Sequence, residues 1–130
     1  MSPKTDLLVL GATGFTGRLI IRYLSHHPQR SAFTFAIGAR SPTKVKTLLQ
    51  DLGLQDSSID FVQVDVTSKT QVENAVENAR VVINTVGPYW RWGTLVVEAC
   101  AKIGVHYVDL TGEVPFLRRI IFRCVCSLSQ

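Results

Sequence analysis

The stretch from Asp6 to Leu24, DLLVLGATGFTGRLIIRYL, decides the fold. An apolar run, Leu7 to Leu10, meets three glycines at Gly11, Gly14 and Gly17, and an amphipathic segment follows at once. A G-x-x-G-x-x-G string is common by chance, but between a strand and a helix it has a mechanism. Gly11 makes the tight turn and Gly14 lets the backbone approach a pyrophosphate. Gly17 lets the helix lie close on the sheet, with its free N–H groups and positive dipole end toward the anion. Gly11, Thr13, Gly14, Phe15, Thr16 and Gly17 are therefore the candidate cradle. The bland alternative is a strand-turn-helix without a ligand, although an ordinary turn rarely needs three glycines in register.

Outward from this unit the alternation repeats. His26 to Ser31 reads as a loop, with Pro28 stopping the first helix. Phe33 to Ala39, FTFAIGA, predicts a second strand. Ser41 then suits an N-cap and Pro42 the first helical position, and Val45, Leu48, Leu49 and Leu52 form one apolar face that Gly53 terminates. Ile59 to Val66 predicts the third strand. Ser68 and Gln71 have capping-box spacing ahead of a helix that buries Val72, Ala75, Val76 and Ala79. Val81 to Thr85 is a short apolar fourth strand, as expected where both faces of a parallel strand are covered.

Val86 to Gly93, VGPYWRWG, reads as a loop. The next helix carries Val96, Ala99, Cys100 and Ile103 on one side and ends at Gly104, before a fifth strand from Val105 to Leu110. Five strands alternating with four helices through short loops predict βαβ units on a parallel sheet. Right-handed crossovers leave strand order 3-2-1-4-5, with the glycine loop at the switch point. The expectation is a single α/β domain, a doubly wound, three-layer α/β/α Rossmann-like fold over residues 1–130 with its core at about 5–112. A helix over Pro115 to Arg123 and the tail CVCSLSQ make up the remainder, 113–130.

With 130 residues, 46% hydrophobic and 18% charged, the chain has the composition of a folded globular protein. No apolar run approaches the roughly 20 residues of a membrane span, and MSPKTD lacks the core of a secretory signal, so an intracellular, first of all cytoplasmic, protein is expected. Three cysteines make no disulfide framework, and neither Cys124-x-Cys126 nor His26, His27 and His106 follow zinc spacing, so no metal is expected. Residues 1–50 hold seven Lys/Arg against one acidic residue, and residues 51–130 hold seven against nine. A basic first half fits a bound polyanion. No helix carries the basic, aromatic-interleaved stripe of a nucleic-acid binder. Arg22, Arg30 and Lys46 also suit a solvated basic face.

A site selective for NAD ends its second strand in Asp or Glu, which accepts from the ribose 2′-OH. Here Gly38-Ala39-Arg40-Ser41 stands in that place. Arg40 suits stacking on adenine and pairing a 2′-phosphate, Ser41 can donate to that phosphate, and Lys44 adds a charge one turn into the helix. NADP, with NADPH preferred over NADH, is the expected cofactor; a solvated strand-end arginine is the alternative reading of Arg40. Asp65 is placed either to bond an adenine amino group or to cap the next helix.

GATGFTGRL, then GARSPTK, then VINTVGPYWRWGTLVVEACAKIGVHYVDLTGE, resembles the N-terminal dinucleotide-binding domain of the saccharopine dehydrogenase-like oxidoreductases, which include the trans-acting enoyl reductases of glycolipid synthesis. The most specific blocks are Asn84, Val86, Gly87, Pro88, Tyr89 and His106, Tyr107, Asp109, Gly112, Glu113. The resemblance covers roughly residues 5–120 and implies NADP-linked hydride chemistry. It places Thr85, Val86, Gly87, Pro88 and Tyr89 along the nicotinamide half and Asp109 to Glu113 facing the cleft. A mitochondrial, lipid-droplet or membrane-peripheral location is also in keeping with it. From the residues alone, Trp90 and Trp92 read as lid or interface aromatics and His106 as a packed residue. Glu113 is a candidate cleft carboxylate or, more simply, a helix N-terminal charge partner.

Members of that family continue into a second domain that supplies most of the substrate site, whereas this sequence stops at RRIIFRCVCSLSQ. The expectation is a truncated chain that binds its cofactor and turns over poorly, with no assigned catalytic residue. The Tyr-x-x-x-Lys pair of short-chain reductases is absent, since His27, Gly93 and Thr111 lie four residues beyond the three tyrosines. A non-enzymatic NADP(H)-sensing interaction module is the alternative, and exposed apolar surface would favour a homodimer or non-specific association.

Overall fold

A computed structural model describes residues 5–54 and 58–125; Cys126 and the rest of the CVCSLSQ tail after Val125 lie outside the described residues. Strand β1 spans Thr5–Leu10, helix α1 Phe15–Ser25, β2 Phe35–Ala39, α2 Pro42–Asp51, β3 Asp60–Gln63 and α3 Lys69–Glu77. They are followed by β4 Ala79–Asn84, a four-residue helix α4 Tyr89–Trp92, α5 Thr94–Ile103, β5 His106–Asp109 and α6 Val114–Ile120, which runs into a π-helical turn at Ile121–Val125. The strands form one sheet in the expected order β3-β2-β1-β4-β5, with every pair parallel.

Side-chain alternation builds the three layers. Leu8 and Leu10 point to the face covered by Val72, Ala75 and Val76 of α3 and Val96, Ala99 and Cys100 of α5. Val9, Phe35 and Ile37 point to the opposite face, under Ile21 and Leu24 of α1 and Val45 and Leu48 of α2. Strands buried on both faces are apolar there, which is why β1 shows no hydrophilic alternation from Leu7 to Leu10. Cys100 is a core residue, 2% exposed. Its burial pushes the thiol up to about 12.

Local chemistry fixes the helix ends. Ser41 caps α2 by accepting from Lys44 N at 3.3 Å, with Pro42 in the first turn. Ser68 caps α3 by accepting from Gln71 N at 3.4 Å. The capping box is only half made, because the Gln71 side chain accepts instead from Asp65 N at 2.9 Å. Gly53 and Gly104 follow their helices at φ +66° and +82°, the left-handed turn a side chain would oppose.

Several elements are shorter than expected. β2 begins at Phe35 because Thr34 N and Oγ1 both donate to the Asp6 carboxylate. β3 ends at Gln63, since the chain soon turns at Asp65, whose carboxylate accepts from Thr67 N and Oγ1. The segment expected as a continuous loop, Val86 to Gly93, contains α4. His106, expected to be packed, is exposed on the edge strand β5.

Candidate functional site

The carboxyl ends of the strands lie in register: Leu10 pairs with Gly38 and Asn84, Ala39 with Gln63, and Asn84 with Asp109. Above them opens a groove of about 360 Å³, lined by Leu10, Gly11, Thr13, Gly14, Gly38, Ala39, Arg40, Val64, Asp65, Val66, Thr67, Thr85, Val86, Gly87 and Trp92. It sits at the point where the chain reverses its direction of travel across the sheet, the usual ligand position in an open α/β fold.

The first wall is made of backbone. Gly11 stands at φ +78°, and a Cβ there would lie 2.6 Å from Thr85 Oγ1. The approach is closed by Thr85, whose N–H and hydroxyl both donate to Leu10 O, at 3.0 and 2.7 Å. A Cβ on Gly17 would lie 2.1 Å from Gly11 O and 2.6 Å from Ala12 Cα, so α1 can seat only on a glycine. Gly14 N donates to Gly11 O at 3.0 Å, tightening the turn. The N-cap of α1 is Gly14, with no capping side chain and no acidic residue in the first turn. Unlike α2 and α3, α1 therefore keeps its first-turn N–H groups free of any side-chain cap at the rim of the groove.

At the second wall, Arg40 is exposed at the end of β2 and its carbonyl accepts from Gln63 Nε2 at 3.1 Å. Ser41, the N-cap of α2, and Lys44, in its first turn, follow outside the groove lining. Asp65 does line the groove. Hydrogen bonds from the Thr67 side chain and backbone hold its carboxyl below the usual carboxylate value, with a smaller pull from Arg40. It braces the turn before α3, whose cap is Ser68.

The third wall rests on a side-chain network. Asn84 is wholly buried; its Oδ1 accepts from Val86 N at 3.0 Å and its Nδ2 donates to the Tyr107 hydroxyl at 3.3 Å. The Tyr107 hydroxyl donates to Asp109 Oδ2 at 2.6 Å, and Asp109 Oδ1 accepts from Thr111 N at 3.0 Å. Burial, followed by that bond to Asp109, raises the Tyr107 phenol well above its ordinary value. Tyr89, 6% exposed, donates its hydroxyl to Asn84 O at 2.8 Å and lays its ring on Phe116 at 5.8 Å. The Glu113 carboxylate takes Tyr89 N at 2.8 Å and Trp90 N at 3.0 Å, the free N–H groups of α4.

Residues 7–122 match the family described as saccharopine dehydrogenase NADP binding domain. The chain belongs to that family. As an NADP binding domain of this type it is 37% identical over 124 residues to a trans-acting enoyl reductase of Mycobacterium tuberculosis, covering 93% of this chain and 29% of that protein. It is 32% identical over 121 residues to a lipid droplet localized protein of Caenorhabditis elegans, covering 90% and 28% respectively. The chain thus spans under a third of the length of these relatives. Among solved structures, apo saccharopine dehydrogenase (L-Glu forming) of Saccharomyces cerevisiae shares the fold, with a TM-score of 0.70 at 19% identity over 89% of this chain and 24% of that one. A short-chain dehydrogenase/reductase of Veillonella parvula in complex with NADP does so at 0.64 and 16%, over 81% and 46%.

Within this NADP binding domain, the groove brings together Gly11, Thr13, Gly14, Arg40, Asp65, Thr85, Val86 and Gly87 from the residues singled out in the sequence. Phe15, 84% exposed, and Thr16 lie outside the lining, and Gly17 is buried beneath the loop. Pro88 is exposed beyond a cis Gly87-Pro88 bond, and Tyr89 points into the core. Asp109 to Glu113, expected to face the cleft, brace the 84–90 segment from behind. Glu113 is a helix N-terminal charge partner, but of α4, over 20 residues earlier in the chain. Reading the sequence did not name Leu10, Gly38, Ala39, Val64, Val66 or Thr67 as cofactor contacts, and it read Trp92 as a lid or interface aromatic. The i+3 spacing of Tyr89 and Trp92 could have flagged a helical turn there. Among the described residues, no helix is long and apolar enough to cross a membrane.

Proposed function

We propose that the groove holds NADP(H), NADPH in preference to NADH, as the cofactor-binding part of an NADP-linked oxidoreductase. The observation that carries the reading is the end of β2, where Arg40 lines the groove in the place a ribose-binding carboxylate would take. The residues present fit such a group. The uncapped first turn of α1 and the Cβ-free surface at Gly11 and Gly14 suit a pyrophosphate, and Arg40, with Ser41 and Lys44 beside it, suits a 2′-phosphate. Val64, Val66 and Thr67, with Asp65, suit the adenine, and Thr85, Val86 and Gly87 the nicotinamide half. When bound, the dinucleotide supplies the hydride; this chain's residues hold and orient it.

Among the described residues, Arg40 and Asp65 are the only ionisable side chains in the groove lining, and neither lies at the Thr85–Gly87 end. The 130-residue chain is accordingly expected to bind without turnover.

One Arg–phosphate pair at about 4 Å and an effective dielectric of about 20 has a gross attraction of about 4 kcal/mol. Exposure reduces it to about 1–2 kcal/mol, roughly tenfold in affinity. Arg40→Asp should therefore reverse the NADPH over NADH preference in paired titrations. An unchanged ratio would remove Arg40 from the site.

A further inference from the structure

Trp92 stands apart from the other aromatics of its segment. Tyr89 is buried in the core and Trp90 is 53% exposed, whereas Trp92 is half-buried and lines the groove beside Thr85, Val86 and Gly87. Its ring carries the Arg91 guanidinium at 4.8 Å. A four-residue helix has no stability of its own, and the position of Trp92 must be imposed by what holds α4.

Three attachments do so. The Glu113 carboxylate spans two N–H groups of the first turn, Arg119 Nη1 donates to Trp90 O at 3.0 Å, and the Tyr89 hydroxyl anchors the helix below. Glu113 is itself held, its N–H donating to Thr111 Oγ1 at 3.1 Å.

We propose that Trp92 is the cofactor-contacting wall of the groove at its Thr85–Gly87 end, and that Glu113 is the positioning residue that fixes it there through α4. This rests on the NADP(H) reading above and deepens it: Trp92 meets the nicotinamide half of the dinucleotide and leaves the adenosine half untouched. Glu113 acts on the same half without touching it.

The test is calorimetric titration of the 130-residue chain with two probes, NADPH and 2′,5′-ADP, the second lacking the nicotinamide half. Trp92→Ala should weaken NADPH about tenfold and leave 2′,5′-ADP within about twofold, the scale of one lost aromatic contact. Glu113→Ala should weaken NADPH several-fold with the same selectivity, and Glu113→Gln, which keeps one acceptor oxygen, should fall between. The double variant Trp92→Ala/Glu113→Ala should bind no more weakly than Trp92→Ala alone, a non-additivity that a general loss of stability would not produce. Melting curves monitor folding, and should Glu113→Ala unfold, Glu113→Gln carries the comparison.

NADPH affinity unchanged by Trp92→Ala, equal weakening of both probes, or additive effects would each overturn the proposal. A parent chain that binds 2′,5′-ADP and NADPH while Trp92→Ala changes neither defeats this inference alone. A parent chain that binds neither probe defeats the NADP(H) reading and this inference with it.

Discussion

The two ends of the groove are built from different materials. At the Gly11–Gly17 end the shape comes from missing atoms: glycines let β1, the Thr85 backbone and α1 approach to distances no Cβ would permit. At the Thr85–Trp92 end it comes from side chains, a chain of hydrogen bonds from Val86 through Asn84 and Tyr107 to Asp109, with Tyr89 and Glu113 tying in α4. A backbone-built wall fails abruptly, since one added carbon has nowhere to go. A network-built wall fails by degrees, since each bond lost leaves others in place.

The largest effect should follow Gly17→Ala. Its Cβ would meet Gly11 O at 2.1 Å, backbone that can move only by lifting α1. A loss of about 3 kcal/mol or more in urea unfolding is expected, with loss of dinucleotide binding. Gly14→Ala sharpens the contrast: its nearest neighbour, Gly11 O, would be 3.4 Å away, so stability should change by under about 1 kcal/mol while NADPH binding still falls. A stable, binding-competent Gly17→Ala chain would break the account of the backbone wall.

Asn84→Leu comes next. It strands Val86 N and removes a partner of the half-buried Tyr107 hydroxyl, for an expected cost of about 2 kcal/mol. Tyr107→Phe, which deletes the donor to Asp109, should cost about 1 kcal/mol, and the double variant should cost less than the sum. Strict additivity in the unfolding cycle would show that the bonds do not act as a network.

A further effect, confined to alkaline pH, lies at Cys100 in the layer that α3 and α5 form on the sheet. Its thiol ionises at about 12 in the fold, against an ordinary value of 9.0. Between those values the unfolded chain binds fewer protons than the native one, so stability falls as pH rises and is fully present below about 9. Tyr107 and Tyr89, both raised mainly by burial, push the same way at higher pH. Cys100→Ala should flatten the slope by on the order of 1 kcal/mol per pH unit near pH 10 in denaturant titrations. A slope identical to the parent's would remove Cys100 as its cause.

The same difference in material governs what the sequence made legible. Gly11, Gly14 and Gly17 lie within seven residues, and their meaning follows from local order: strand, turn, helix. The sheet order followed equally well, because strand period and crossover handedness are general rules. Arg40 was legible as the occupant of a position, the end of the second strand. The Asn84–Tyr107 bond joins residues 23 positions apart and the Glu113–Tyr89 bond 24 apart, and no local pattern announces which carboxylate will meet which N–H group. Tyr89 therefore looked like a cofactor contact when it is a core anchor, and Trp92 read as a lid or interface aromatic in a segment that looked like loop.

The most direct test of the central claim is a pair of equilibrium titrations of the 130-residue chain with NADPH and NADH, read by reduced-nicotinamide fluorescence. The account expects saturable NADPH binding, displaced by NADP, with NADH weaker by roughly tenfold or more. Equal affinity for the two, or no saturable binding of either, would contradict it.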